Sequence, residues 1–290
     1  MGGSGWLWAL LVATLFSATP LILAAMAGIL SERAGVVNIA LEGLMLAGAF
    51  AGVWAGQQVP ALGILAALAA GALLGLLHAV LTQKARMDHV VSGLAITLLA
   101  AGGTRFLFQR VFPSTGFNIA GLPRDLFAWT AVVLPFVVAV ALARTRFGLR
   151  LRAVGENPES ARMAGIAPFP VRMAAVTLSG VLAAFSGAYL SMGVAHQFSP
   201  DMSAGKGYIA LAAVIFGKWN PLGAALAALF FGFFDALQSQ LQISGVRPWL
   251  GIEWSSAYLL QALPYVMTII ALVSVVGRAT PPAALGREEA

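Results

Sequence analysis

The chain contains no cysteine and little charge. Of its 290 residues, 60% are apolar and only 10% are charged, whereas soluble domains carry about 25% charged residues. The absence of cysteine excludes disulfides, thiol catalysis and cysteine-based zinc or iron–sulfur sites. His78, His89 and His196 show no metal-ligand spacing, so we expect no metal site. The composition predicts a membrane protein.

Sequence signals for catalysis are also missing. There is no Gly-x-x-x-x-Gly-Lys-Ser/Thr phosphate loop, so we do not expect the chain to hydrolyse ATP by that route. No convergent set of nucleophile, base and metal ligands supports an intramembrane enzyme. We therefore expect neither enzymatic activity nor a bound cofactor. Residues 1–5 carry no Lys or Arg, so we expect the first apolar run to be retained rather than cleaved as a leader.

Apolar runs long enough to cross a bilayer recur along the chain. A crossing needs about 20 mostly apolar residues, and the breaks between such runs predict helices at residues 6–30, 36–55, 61–83, 90–112, 126–143, 173–194, 221–242 and 256–277. The segment 207–217 is shorter, and it could cross, form a half-helix or turn back. The predicted fold is one all-α membrane domain over residues 1–290, with about 8 to 10 transmembrane helices.

Basic residues are concentrated in one loop, residues 144–172, which holds six arginines and two glutamates. Short basic loops remain cytoplasmic, so we expect this loop and the C-terminal tail, residues 278–290, inside and the N-terminus outside. Arg33, Lys84 and Arg86 then fall inside as well. This distribution explains the net charge of +6 without a nucleic acid partner, which would require a basic polar surface bearing aromatic residues.

A weak internal repeat is visible. Segments 39–41 and 209–211 both read Ile-Ala-Leu, and each is followed by a Leu-Gly pair, at residues 62–63 and 222–223, within a Gly/Ala-rich run. On the predicted topology the first copy starts inside and the second starts outside. This pattern predicts the inverted repeat that many transporters contain.

The middle of the basic loop carries helix signals. Asn157 can cap a helix and Pro158 suits its first position. Glu159 favours the positive end of the helix dipole, and Gly165 can end the helix. These residues predict a short cytoplasmic helix. A loop that only sets topology needs basic residues but no capped helix, so we interpret the segment as a docking element.

Three segments resemble the permeases of ATP-binding cassette (ABC) importers for simple sugars, branched-chain amino acids and nucleosides. They are residues 30–44 (LSERAGVVNIALEGL), 150–166 (RLRAVGENPESARMAGI) and 210–221 (ALAAVIFGKWNP). The resemblance extends over nearly the whole chain. The first segment is most similar to the nucleoside branch, that of guanosine and purine nucleoside permeases.

The resemblance implies a multi-pass subunit, in a bacterial inner membrane, that helps to move nucleosides inward. ATP and Mg²⁺ would be used by partner ATPase subunits. Further implied partners are a second permease, which would form a heterodimer with this chain, and an extracytoplasmic substrate-binding lipoprotein. In this family the short cytoplasmic helix is the coupling helix, which sits in a groove of the ATPase. The implied coupling residues are Gly155, Glu156, Asn157, Pro158, Glu159, Ala161, Arg162 and Gly165.

Two acidic residues within apolar runs are the main candidates for the transport pathway, because ionisable groups in a bilayer are costly and mark functional positions. Glu42 follows Asn38 by four residues, and a continuous helix would place both on one face. Glu42 could contact cargo, or it could be paired or cap a broken helix. Asp235 could line an outer cavity, or it could pair with Arg105, Arg247 or a partner subunit.

Alternative functions would use the same fold. The cargo could be a simple sugar such as a pentose, or a branched-chain amino acid. A stand-alone secondary transporter or channel would also explain intramembrane acids, but it leaves the capped basic helix without a role.

Two further predictions concern structural residues. His78, on an apolar helix, is expected to form a hydrogen bond between helices. The seven tryptophans fall near predicted helix ends and are expected to anchor the chain at the membrane interface.

Overall fold

The computed structural model describes residues 3–111, 119, 121–244, 266 and 279–287. This part of the chain is helical and contains no strand, which confirms the predicted all-α membrane fold. The helices are α1 Gly3–Arg33, α2 Leu41–Ala55, α3 Pro60–Gln83, α4 His89–Val111, α5 Arg124–Arg144, α6 Arg146–Glu156, α7 Pro158–Met163, α8 Pro168–Ala188, α9 Lys206–Phe216 and α10 Pro221–Ser244. A π-helical segment, Tyr189–Ala195, continues α8. The predicted helix 256–277 lies outside the described residues.

Six of the described helices are long and apolar enough to cross a bilayer, namely α1, α3, α4, α5, α8 with its π-helical segment, and α10. α2 and α9 have only 15 and 11 residues. At about 1.5 Å per residue they extend roughly 22 and 16 Å, whereas the hydrocarbon core is about 30 Å thick. Segment 207–217 is therefore a half-helix.

The predicted continuous helix over 36–55 is wrong, because α2 begins only at Leu41. The backbone before α2 binds side chains instead of forming helical turns. For example, the hydroxyl of Ser31 donates to the carbonyl oxygen of Val36 at 2.7 Å. An irregular segment thus enters the bundle between α1 and α2.

His78 of α3 helps to hold this irregular segment. Its two ring nitrogens lie 2.9 Å from the hydroxyl of Ser92 in α4 and 3.2 Å from the carbonyl oxygen of Val37. His78 is fully buried, and these bonds confirm its predicted role between helices.

The two ends of the bundle differ in charge. One end, here called the basic end, carries loops 34–40, 84–88, 145–167 and 217–220 together with the tail 279–287. Side chains join these segments, as when Arg172 at the start of α8 donates to the carbonyl oxygen of Ala34 and to the side chain of Gln83. The opposite end carries loops 56–59, 121–123 and 196–205.

The two halves of the bundle pack as an inverted repeat. α1, α2 and α3 correspond to α8, α9 and α10, since each set is a long helix, a half-helix and a second long helix. α1 packs against α10, and α3 packs against α8. When each helix is replaced by its counterpart in the other half, the first contact becomes the second, as expected for a repeat. α1 ends at the basic end whereas α8 starts there, so the two halves run in opposite directions.

Small residues bring the helices into backbone contact. A Cβ atom on Gly71 of α3 would collide with the carbonyl oxygen of Gly180 in α8, and one on Gly48 of α2 would collide with the backbone of Ala184. Close approach through small residues is a main source of helix association in lipid. It fixes the long helices around the two half-helices.

Candidate transport site

The start of α9 is bound by Glu42, which lies in the first turn of α2. Its Oε1 accepts hydrogen bonds from the hydroxyl of Ser203 (2.5 Å) and the N–H of Gly205 (2.9 Å), and its Oε2 accepts one from the N–H of Gly207 (2.7 Å). The first N–H groups of a helix have no partner within the helix, and a carboxylate there also opposes the positive end of the dipole. This geometry matches the interpretation of Glu42 as the cap of a broken helix.

The two half-helices meet at their N-terminal ends. A Cβ atom on Gly207 would lie 2.5 Å from the backbone nitrogen and 2.6 Å from the Cα atom of Glu42. Only glycine allows this approach. Glu42 is 7% exposed, so the capping bonds are shielded from water.

Asn38 does not share a helical face with Glu42, because α2 begins at Leu41 and Asn38 precedes it. Asn38 is fully buried, and its Nδ2 donates to the hydroxyl of Ser179 in α8 at 2.9 Å. Its Oδ1 has no hydrogen-bond partner within the described part of the chain. Asn38 therefore fastens the irregular segment to α8.

A cavity of about 760 Å³ lies above the start of α9, toward the opposite end of the bundle. Lys206, the first residue of α9, and Asp235 of α10 both line it, as does Arg124 at the start of α5. The complete lining is Phe16, Ser17, Pro20, Gly121, Leu122, Pro123, Arg124, Tyr189, Leu190, Gly193, Val194, His196, Lys206 and Asp235. The capped end of α9 thus borders the cavity.

Breaks in two long helices shape the cavity wall. Pro20 has no N–H, so the carbonyl of Phe16 loses its partner within α1. The hydroxyl of Tyr189 donates to that carbonyl at 2.9 Å. The π-helical segment also presents the carbonyl oxygen of Met192 to the N–H of Leu122 at 3.1 Å. A π-helical turn that widens a helix often occurs at a functional site.

Asp235 lies on the cavity wall, half-buried. It forms no ion pair with Arg105, because the one ion pair within 4.0 Å that joins described side chains is Arg33–Glu156. Arg247, the second predicted partner, lies outside the described residues. Asp235 therefore lies on the cavity wall as predicted, and its pairing with Arg247 or with a partner subunit stays a prediction.

A second group of polar contacts joins α1 to α9 at the basic end. The indole N–H of Trp219, just after α9, donates to Glu32 at 2.5 Å, and Nε of Arg33 donates to the carbonyl oxygen of Trp219 at 2.8 Å. Glu32 and Trp219 are 2% and 6% exposed. Trp219 is therefore buried in the chain, and its predicted role as an interfacial anchor is wrong.

The same contacts reach the basic loop and the tail. Nη1 of Arg33 lies 3.8 Å from Oε1 of Glu156, at the end of α6. The N–H of Ala284 donates to the carbonyl oxygen of Gly155 at 3.0 Å, and that of Gly286 donates to Gly35 at 3.0 Å. We call the cluster of Glu32, Arg33, Glu156 and Trp219 the basic junction. Sequence reasoning missed it, because adjacent charges at the end of a helix resemble ordinary topology signals.

The capped helix of the basic loop is present as α7. The side chain of Asn157 accepts from the N–H of Ser160 at 2.9 Å, Pro158 occupies the first turn, and Gly165 follows the helix with a φ of +77°. A separate amphipathic helix, α6, precedes it. The predicted coupling residues divide into two groups. Gly155 and Ala161 are buried, Pro158 is half-buried, and Glu156, Asn157, Glu159, Arg162 and Gly165 are exposed.

The surface of α7 carries one large apolar side chain. Met163 is 92% exposed, and its neighbours on α7 are polar apart from the buried Ala161 and the half-buried Pro158. Sequence reasoning did not select it, since a methionine in an Ala/Gly context carries no periodic signal. Within the described residues, no group of three or more His, Asp or Glu side chains could hold a metal ion.

Residues 10–272 match the family described as branched-chain amino acid transport system / permease component. The chain belongs to this family of ABC transporter permeases. It is a multi-pass membrane subunit, and a permease of this family works with an ATPase and a substrate-binding partner.

The chain is similar in sequence to permeases of nucleosides and of a sugar. The chain is 40% identical to the guanosine ABC transporter permease protein NupQ of Bacillus subtilis, over 94% of both chains. It is 40% identical to the nucleoside ABC transporter permease protein NupC of Lactococcus lactis, over 94% of this chain and 93% of that protein. It is 31% identical to the ribose import permease protein RbsC of Escherichia coli, over 70% of this chain and 68% of that protein. No solved structure matches the chain.

The capping geometry predicts how Glu42→Gln behaves. An amide would place an NH₂ group against a backbone N–H, so at least one bond to a charged acceptor is lost, at a cost of about 1.5–3 kcal/mol. We expect a lower thermal unfolding midpoint in detergent and a uniform loss of transport for all cargoes. Glu159→Gln, on the exposed face of α7, is the control and should leave the midpoint unchanged. Unequal effects on different cargoes at normal stability would contradict the capping role.

Proposed function

We propose that this chain is the permease subunit of a nucleoside-importing ABC transporter in a bacterial inner membrane. The observation that carries the proposal is the 40% identity, over 94% of this chain, to one guanosine and one nucleoside permease. The cavity supports it, because about 760 Å³ lies within the range of roughly 300–1,000 Å³ that small-molecule sites occupy.

The proposed orientation puts the basic end in the cytoplasm. Arg33 ends α1 at this end, loop 84–88 carries Lys84 and Arg86, and segment 145–167 carries four arginines. Short basic loops are retained inside. The N-terminus then lies outside and the tail lies inside. The cavity faces the outside, where a binding protein would deliver cargo.

The chain itself forms part of the transport path, and the partner ATPase hydrolyses ATP. ATP and Mg²⁺ belong to the partner ATPase, since the sequence has no phosphate-loop motif, and we assign neither a cofactor nor an enzymatic activity to the permease. The remaining proposed partners are a second, related permease, which makes a heterodimer, and a substrate-binding lipoprotein outside the membrane.

The ATPase docks on the exposed residues of α6 and α7. Glu156, Asn157, Glu159 and Arg162 provide polar contacts, and Met163 provides the apolar side chain that a groove can bury. Gly155 and Ala161 are buried, and they hold the docking helices against the bundle without contacting the ATPase. These roles follow from exposure and from the family resemblance.

Movement of the docking helices reaches the cavity through α9. Glu156 contacts Arg33, which binds the carbonyl oxygen of Trp219 behind α9. At its other end α9 is bound by Glu42 and carries Lys206 into the cavity. An 11-residue helix is short and stiff enough to pass a displacement from one end to the other.

A simple sugar such as ribose is the second candidate cargo. The specific observation in its favour is the 31% identity to a ribose import permease. A branched-chain amino acid, which the family description mentions, is the third.

The proposal is tested by uptake of radiolabelled guanosine and ribose into proteoliposomes that contain this chain with its ATPase, second permease and binding protein. We expect guanosine uptake that requires internal ATP and stops when the ATPase cannot hydrolyse it. Ribose uptake without guanosine uptake would move the cargo to sugars. Uptake by this chain alone, without ATP, would contradict the importer-subunit function.

The docking assignment predicts that Met163→Asp weakens binding of the ATPase. Burial of a methionine side chain contributes about 1.5–3 kcal/mol, so its replacement by a charge should raise the dissociation constant at least about tenfold. The measurement is ATPase binding to the permease pair in nanodiscs. Met87→Asp, also at the basic end but in the loop after α3, is the control, and an equal effect of both substitutions would argue against a specific role for Met163.

A further inference from the structure

Two opposite charges line the same cavity, and no ion pair joins either of them to another described residue. Lys206 and Asp235 both line it and both are half-buried, yet they form no ion pair within 4.0 Å, since the pair found in the described chain is Arg33–Glu156. Neither side chain forms a hydrogen bond with the described residues. Each charged group therefore lines the cavity with hydrogen-bonding capacity that the described residues leave unused.

A ligand in the cavity can contact both charges, because Lys206 and Asp235 line the same space. A carboxylate only accepts hydrogen bonds and an ammonium only donates them. A hydroxyl group does both, so neighbouring hydroxyls can donate to Asp235 and accept from Lys206. Hydrogen bonds to charged groups are among the strongest in proteins, and a neutral sugar satisfies both charges without adding a third.

An aromatic surface lies on the same cavity wall. The guanidinium carbon of Arg124 sits 4.1 Å from the centroid of the Phe16 ring, and Arg124 is exposed. Nucleobases stack on arginine planes and aromatic rings. The cavity therefore combines a stacking surface with a pair of hydroxyl-binding charges.

We propose that this cavity is a nucleoside site in which Asp235 and Lys206 bind the sugar hydroxyls and the Arg124–Phe16 pair stacks on the base. This inference rests on the proposed function and deepens it, because it names the cargo contacts that this chain supplies. Glu42 and Asn38 lie outside the site, and their contacts are within the protein.

The test compares guanosine with 2′,3′-dideoxyguanosine, which lacks the two sugar hydroxyls, in the complete ATP-driven complex. The quantity is kcat/KM for guanosine divided by kcat/KM for 2′,3′-dideoxyguanosine. It is measured with the same binding protein for every permease variant. We expect Asp235→Asn and Lys206→Met each to lower this ratio about tenfold relative to the parent, as loss of a hydrogen bond to a charged group implies.

Matched controls use the same chemical changes elsewhere. Asp125→Asn, at the start of α5, and Lys218→Met, after α9, should retain the parent ratio. A ratio that stays at the parent value in both Asp235→Asn and Lys206→Met would overturn the site, including when both compounds lose activity equally, since a purely structural role has that effect. Transport of ribose but not guanosine by the parent would instead overturn the proposed cargo, and the two failures are thus distinct.

Discussion

A helix that starts inside a membrane leaves its first N–H groups without partners, and in hydrocarbon those groups must be satisfied by the protein. In this chain Glu42 of α2 satisfies them for α9, through bonds to the N–H groups of Gly205 and Gly207. The contact also joins the two half-helices of the inverted repeat. The position of Lys206, and therefore the floor of the cavity, depends on this one carboxylate.

The two ends of α9 lie at two different sites. The first residue of α9 borders the cavity that Asp235 also lines, whereas Trp219, just after α9, belongs to the basic junction with Glu32 and Arg33. The tail closes over the same junction through Ala284. α9 is too short to cross the bilayer as a helix, and side chains bind it at both ends. We therefore expect it to move as a unit.

Local chemistry made part of this structure predictable. Asn157, Pro158 and Gly165 act within a few residues of each other, so the capped helix follows from sequence order alone. Trp219 is different, because its partner Glu32 is 187 residues away and an indole at the end of a helix also suits the membrane interface. The apolar surroundings of Asn38 predict a helix there, whereas hydrogen bonds to α8 and α3 hold that backbone in a non-helical conformation.

The central claim, that α9 connects the ATPase side to the cavity, is tested by labelling Lys206→Cys with a membrane-impermeant thiol reagent, since the chain has no other cysteine. The labelling rate is compared before and after trapping the complex with ATP and vanadate. We expect trapping to change the rate in the parent and in Arg86→Met, an exposed arginine of loop 84–88, but not in Arg33→Met, which loses the bond to the carbonyl oxygen of Trp219 and the contact with Glu156. A change of labelling rate in Arg33→Met as large as that in the parent would contradict the account.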